Sequence, residues 1–195
     1  MAIFRYVRIA LVFACVGCGS GSGGDAPDSS NQDASSGVDA ATPDGGGGGT
    51  ISGSPGGSPF SSVATSYVIG APDDQATTVV FVFSKPVACA DLGNPGWDQR
   101  ITDGTQILEL KAFGTSPADF NVVTTLTPAP GEASVNYTLS STTGTPNEIG
   151  ASGGTLTLST LSAGATATGS FALMFGADHL TGTFDAIYCP GGHEP

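Results

Sequence analysis

The chain predicts an all-β domain, an antiparallel β-sandwich or meander barrel of about eight strands. Three observations carry that expectation. From residue 61 onward, short runs alternate apolar and polar side chains with the period of two of a half-buried strand. Those runs are separated by clusters of Gly, Pro, Asn and Asp, which favour turns. No window holds a helical apolar period of useful length, and 30 glycines and 13 prolines in 195 residues would burden helices.

Before the domain come two segments of other character. Arg5 and Arg8 precede an apolar run, Ile9 to Gly17. A run of nine residues is too short for a bilayer core, which takes about 20 helical residues. It suits the apolar centre of an export signal, so residues 1–17 are expected to be a signal peptide. Residues 19–59 hold 13 Gly, 9 Ser, 5 Asp and 4 Pro, with Val38 and Ile51 the only large apolar side chains. Such a stretch buries too little surface to offset its ordering entropy, and residues 18–59 are expected to be a disordered tether. Its root-mean-square span would be roughly 35 Å for a flexible chain. The domain is then 60–195.

Strands are expected near 62–70, 77–84, 105–113, 120–126, 133–141, 154–161, 167–176 and 180–189. Thr77 to Ser84 is apolar on both faces, as in a central strand. Val135, Tyr137 and Leu139 supply one face; Leu156 and Leu158, then Phe171, Leu173 and Phe175, and finally Phe184, Ala186 and Tyr188 supply others. Gly176 to His179 reads as a tight hairpin connection. Thr168-Gly169-Ser170-Phe171 and Thr181-Gly182-Thr183-Phe184 share a pattern 13 residues apart, which reads as two similar strands pairing antiparallel.

The formal charge is −12, from 17 acidic and 5 basic residues. Phosphate contacts need clustered Lys and Arg, so nucleic acid is not an expected partner. Cys89 and Cys189 remain in the exported domain, where disulfides persist, and are expected to bridge. Free thiols or a metal pair are the alternatives, and His179 and His193 are not at ligand spacing for the latter.

Few residues suggest chemistry. Gly19, Gly21 and Gly24 match a dinucleotide fingerprint, but inside low complexity and without the strand and helix it needs. Gly150-Ala151-Ser152-Gly153-Gly154 matches a nucleophile elbow, which needs a strand before it and a helix after it. Here a loop is expected before and a strand after, so no catalytic residue is assigned and the chain is not expected to be an enzyme. No metal or cofactor is expected; Asp91, Asn94, Asp98 and Asp103 match no calcium loop. The 20-residue stretch 85–104 exceeds ordinary loop length and carries the one tryptophan. Trp97, Asp98 and Arg100 are the candidate ligand-binding residues, with a sugar stacking on Trp97; the alternative is that Trp97 packs over one end of the domain.

The end of the signal, Cys15-Val16-Gly17-Cys18, resembles the lipobox of bacterial lipoproteins. The resemblance implies that Cys18 takes a diacylglyceryl group and becomes the acylated mature N-terminus; Val12-Phe13-Ala14-Cys15 is the rival site. It also implies the membrane as a partner through N-terminal acyl (palmitate-type) chains, and, with Gly19 rather than Asp after the cysteine, the outer membrane. The signal, the tether and the ending Phe184-Asp185-Ala186-Ile187-Tyr188-Cys189 resemble uncharacterised secreted lipoproteins of myxobacteria-like bacteria. The expected role is structural or interactive at the cell envelope, with an envelope glycan or protein as partner. The alternative is a glycan- or small-ligand-binding module using the 85–104 loop.

Overall fold

The alternating runs form eight strands, and two further strands arise where composition hid them. In a computed structural model the chain forms β1 (Gly49–Gly53), β2 (Thr65–Ile69), β3 (Thr78–Phe83), β4 (Gln106–Ala112) and β5 (Ala118–Val122). It continues with β6 (Glu132–Leu139), β7 (Asn147–Gly150), β8 (Gly153–Ser162), β9 (Thr166–Phe175) and β10 (Asp178–Tyr188). A short helix, α1 (Cys89–Leu92), lies between β3 and β4. The structure describes residues 47–60, 65–69, 77–125, 128–143, 145–162, 164–192 and 194. The signal peptide, Cys15, Cys18, the tether up to residue 46 and His193 lie outside the described residues.

The described strands make one sheet that curls on itself. Its pairings run β10–β2–β3–β4–β6–β5–β8–β9, and β9 pairs β10 again. The closing seam between β10 and β2 is narrow, with only Ile187↔Tyr67 and Tyr188↔Val68 in register. The all-β class holds, and the single curled sheet is nearer the expected barrel than the expected sandwich, with two departures in detail. The sheet is mixed, because β10–β2 and β5–β6 pair parallel. It is one sheet and not a two-sheet sandwich, and it is not a meander, because β6 lies between β4 and β5. Alternation along a strand reports which face is buried, not which neighbour it pairs, so strand order was open.

β1 corrects the domain boundary. Residues 47–59 have tether composition, yet Gly49–Gly53 pairs antiparallel with Phe184–Leu180 of β10. The reason is close backbone approach. A Cβ at Gly49 would stand 2.2 Å from the Thr183 carbonyl oxygen, and one at Gly53 2.1 Å from that of His179. Glycine is there to admit the neighbouring strand, and Ile51 packs on the main apolar cluster.

That cluster fills the inside of the curl. Val80, Val82, Leu108, Leu110, Val135, Tyr137, Leu156, Leu158, Phe171, Leu173 and Phe184 are all in it. The opposite face of β3 carries Val79, Phe81 and Phe83, which belong to a second cluster. All six residues of β3 are therefore buried, as the two-faced apolar run implies. The hairpin between β9 and β10 is the tight turn expected: Phe175 pairs Asp178 across Gly176, whose φ is 65°.

Candidate functional site

The 85–104 stretch is what covers the outer face of β3. Its base is held by Lys85, whose Nζ donates to the Asp103 carbonyl at 2.6 Å. Tyr67 Oη donates to the Val87 carbonyl at 2.8 Å from below. Cys89, the first residue of α1, is bonded to Cys189 just after β10, with a Cα separation of 5.5 Å. The expected disulfide is present. It joins the loop to the segment that follows the last strand.

Gly96, at φ 65°, turns the chain into a 3-10 turn, Trp97–Gln99. Trp97 points inward and is 1% exposed. Its ring meets Phe81 edge-on at 5.0 Å and Phe83 at 5.7 Å. Of the two readings of Trp97, packing is the one seen: the ring is enclosed in the second cluster, with Leu92, Ile101 and Ile107 among its members. An indole gains more from burial under a disulfide-tied loop than from exposure at its tip. Asp98 and Arg100 part company. Asp98 borders a large cleft, while Arg100 borders a smaller hollow of about 140 Å³ with Pro86, Asp91 and Asn94.

The large cleft has a volume of about 710 Å³. Its floor is the outer face of the sheet: Glu109, Lys111 and Phe113 from β4 and its end, Ser134 and Asn136 from β6, and Glu148 from β7. Asp98 and Gln99 of the 3-10 turn form one wall. Glu194, beyond the disulfide, borders it as well. An adjoining recess of about 250 Å³ shares Asp98, Gln99, Glu109 and Glu148.

The register explains the floor. Residues 109 and 111 share one face of β4 because strand side chains alternate. Glu109 lies opposite Asn136 on β6 and opposite Phe81 on β3. Glu148 lies opposite Thr138 on the next strand. Lys111 Nζ is 2.8 Å from each carboxylate oxygen of Glu194. It also sits 5.9 Å from the Phe113 ring centroid, within cation–π range.

Burial pushes the Glu109 carboxyl up to about 7, and the negative charges of Glu194 and Glu148 push the same way. Lys111 and a hydrogen bond with Asn136 act in the opposite direction and are outweighed. The cleft thus offers carboxylates, an ammonium, an amide, hydroxyls and a partly exposed aromatic edge. That set can hydrogen-bond a polar ligand from several sides.

The other candidates have structural partners. Ser152 sits in the two-residue connection between β7 and β8, so a short strand precedes it where a loop was expected. Its hydroxyl donates to the Met174 carbonyl and accepts from Gly176 N–H, each at 3.1 Å. Asn94 Nδ2 donates to the Ala90 and Asp91 carbonyls. Asp103 Oδ1 accepts from Thr142 N–H. Among the described residues no group of three His, Cys, Asp or Glu side chains could hold a metal ion.

Of the cleft residues, sequence reasoning singled out only Asp98 as a ligand candidate. The missed signal lies in β4: two charges, Glu109 and Lys111, on one face of a strand otherwise rich in apolar residues. Compared with known proteins, the chain matches no family model, no curated protein and no solved structure.

Proposed function

We propose that this protein is an exported lipoprotein, held on the envelope membrane by acyl chains on Cys18, whose β-domain binds a polar small molecule or glycan in the cleft over β4 and β6. The anchoring half rests on the basic start, the nine-residue apolar run and the Val16-Gly17-Cys18 ending. The outer membrane is the destination that Gly19 favours. Two or three acyl chains hold a protein far more firmly than one.

The binding half rests on one observation: a cleft of about 710 Å³ whose floor carries Glu109, Asn136, Ser134 and Glu148 beside the partly exposed Phe113. A volume of that order takes a mono- or disaccharide, and such sites pair a few polar groups with an aromatic or apolar surface. The binding surface is the sheet face with the edge of the 85–104 loop, with Phe113 and not Trp97 as its aromatic part.

Two experiments test the two halves separately. Labelled palmitate should enter the full-length chain, and Cys18→Ala should abolish both the label and membrane retention; retention of both would remove the anchor. For the cleft, the detergent-solubilised full-length protein is titrated calorimetrically with neutral envelope oligosaccharides. Binding that Asn136→Leu abolishes and Arg100→Ala spares would support the cleft. If no oligosaccharide binds, or if Arg100→Ala abolishes binding and Asn136→Leu does not, the cleft reading fails. A structural or protein-interaction role at the envelope would then stand in its place.

A further inference from the structure

Three elements bring a carboxylate to the place where the cleft meets its adjoining recess. Asp98 comes from the 3-10 turn, Glu109 from β4 and Glu148 from β7, and all three border both hollows. Register sets the two on the sheet. Glu148 lies opposite Thr138, which lies opposite Ile107, and Glu109 stands two residues further along β4 on the same face. The waist between the hollows is therefore ringed by acid groups that lie far apart in the sequence.

The recess, about 250 Å³, carries no compensating charge. Among the described residues that line it, the ionisable ones are Asp98, Glu109 and Glu148, with Phe81, Trp97 and Ile107 behind them. The rings of Phe81 and Trp97 are enclosed, so that wall is poor in water and strengthens a charge interaction made against it. Lys111 borders the larger hollow and not the recess, and Glu194 engages it there. Burial and the neighbouring negative charges disfavour the ionised form of Glu109, a cost that a cation among the three groups would remove.

We propose that the recess takes an ammonium group of the ligand, so that the cleft selects a sugar with a free amine over the same sugar with that amine acetylated. The inference rests on the cleft being the binding site and names the class of ligand it takes. An ammonium offers three donors and a full positive charge to the three carboxylates. An acetamide offers one N–H and no charge, and its carbonyl oxygen sets lone pairs against those of the carboxylates. The two forms share one sugar skeleton, so their difference in affinity reports the recess alone.

The test is a calorimetric titration of the full-length protein in uncharged detergent, at a slightly acid pH that keeps a sugar amine protonated. The two probes are the N-acetylglucosamine disaccharide and the same disaccharide with both amines free. The free-amine form should bind about 10-fold more tightly or better, the worth of one charge-assisted hydrogen bond. A variant carrying both Asp98→Asn and Glu148→Gln should bring that ratio close to one. Asp119→Asn, on β5 and outside both hollows, should keep it, which separates the recess from the general attraction of a chain of formal charge −12. Equal affinities, or tighter binding of the acetylated form, overturn the inference and leave the cleft reading standing. So does a preference that survives the double variant, or one that Asp119→Asn abolishes as well. Binding of neither sugar overturns the inference and the cleft reading together.

Discussion

Gly169 on β9 lies directly opposite Phe184 on β10, and the phenylalanine ring occupies the space a side chain at 169 would need. A Cβ there would stand 2.5 Å from the ring and 2.1 Å from the Thr157 carbonyl on the other flank. The relation is reciprocal. Gly182 of β10 lies opposite Phe171 of β9, whose ring is 2.7 Å from a Cβ placed at 182. The two copies of the Thr-Gly-(Ser/Thr)-Phe pattern are therefore one device used twice, each glycine receiving the other copy's ring.

Gly169→Ala should destabilise the domain by about 2 kcal/mol or more, because the clash is partly with backbone, which cannot rotate away. Gly164→Ala is the control: it lies in a turn with open space around it and costs only its positive φ of 68°. Urea denaturation midpoints for the two variants decide the matter. Equal losses would mean that the ring-over-glycine packing contributes nothing particular.

Trp97 should behave as core. Its fluorescence in the folded chain should be blue-shifted and shielded from iodide, and with one tryptophan in the sequence the signal is unambiguous. Trp97→Ala should cost about 3–5 kcal/mol, the range for emptying a large aromatic site. Ready quenching of the native protein would contradict the burial.

The folded unit should need residues 47–59. A chain beginning at residue 47 should be more stable than one beginning at residue 60 by at least about 2 kcal/mol, because the shorter chain loses the β1–β10 hydrogen bonds and the packing of Ile51. Matching denaturation curves would show that β1 adds no stability.

Stability should depend on pH through Glu109. Its carboxyl is raised from 4.5 to about 7 in the folded state, so between those values the native chain holds a proton that the unfolded chain has released. Stability contributed by this group is full below pH 4.5 and falls as pH rises towards 7. The loss is on the order of 1–3 kcal/mol, since separating the folded and unfolded midpoints by one pH unit is worth about 1.4 kcal/mol at most. Glu109→Gln should flatten the profile in that window and be the more stable protein above it. An unchanged profile in the variant would place the proton elsewhere.

Much of the fold could be read from side-chain alternation. Val79, Phe81 and Phe83 opposite Val80 and Val82 announced a strand buried on both faces, and the paired Thr-Gly-(Ser/Thr)-Phe copies announced the β9–β10 hairpin. The Cys89–Cys189 bridge was legible from cysteine number and an expected export signal. What escaped was carried by the backbone or by distance. β1 bonds mainly through main-chain groups, which leave no mark on composition; Ile51 was its one apolar trace. The parallel contacts of β10 with β2 and β5 with β6 depend on where the chain returns, which no local window contains. The cleft joins Asp98, Glu109, Asn136, Glu148 and Glu194, residues spread over almost half the sequence, and only the register brings them to one face.

The bond between Cys89 and Cys189 has one more effect. It turns residues 89–189 into a covalent ring that holds β4 through β10, while β1, β2 and β3 enter from outside it. A protease that severs a single peptide bond anywhere within that ring linearises it but liberates no fragment. Both ends of the cut stay attached through the sulfur atoms, and a strand torn loose remains within reach of its neighbours. Wherever a protease meets this domain, a first injury in the ring would be survivable, and only a second cut in the same ring would shed a piece.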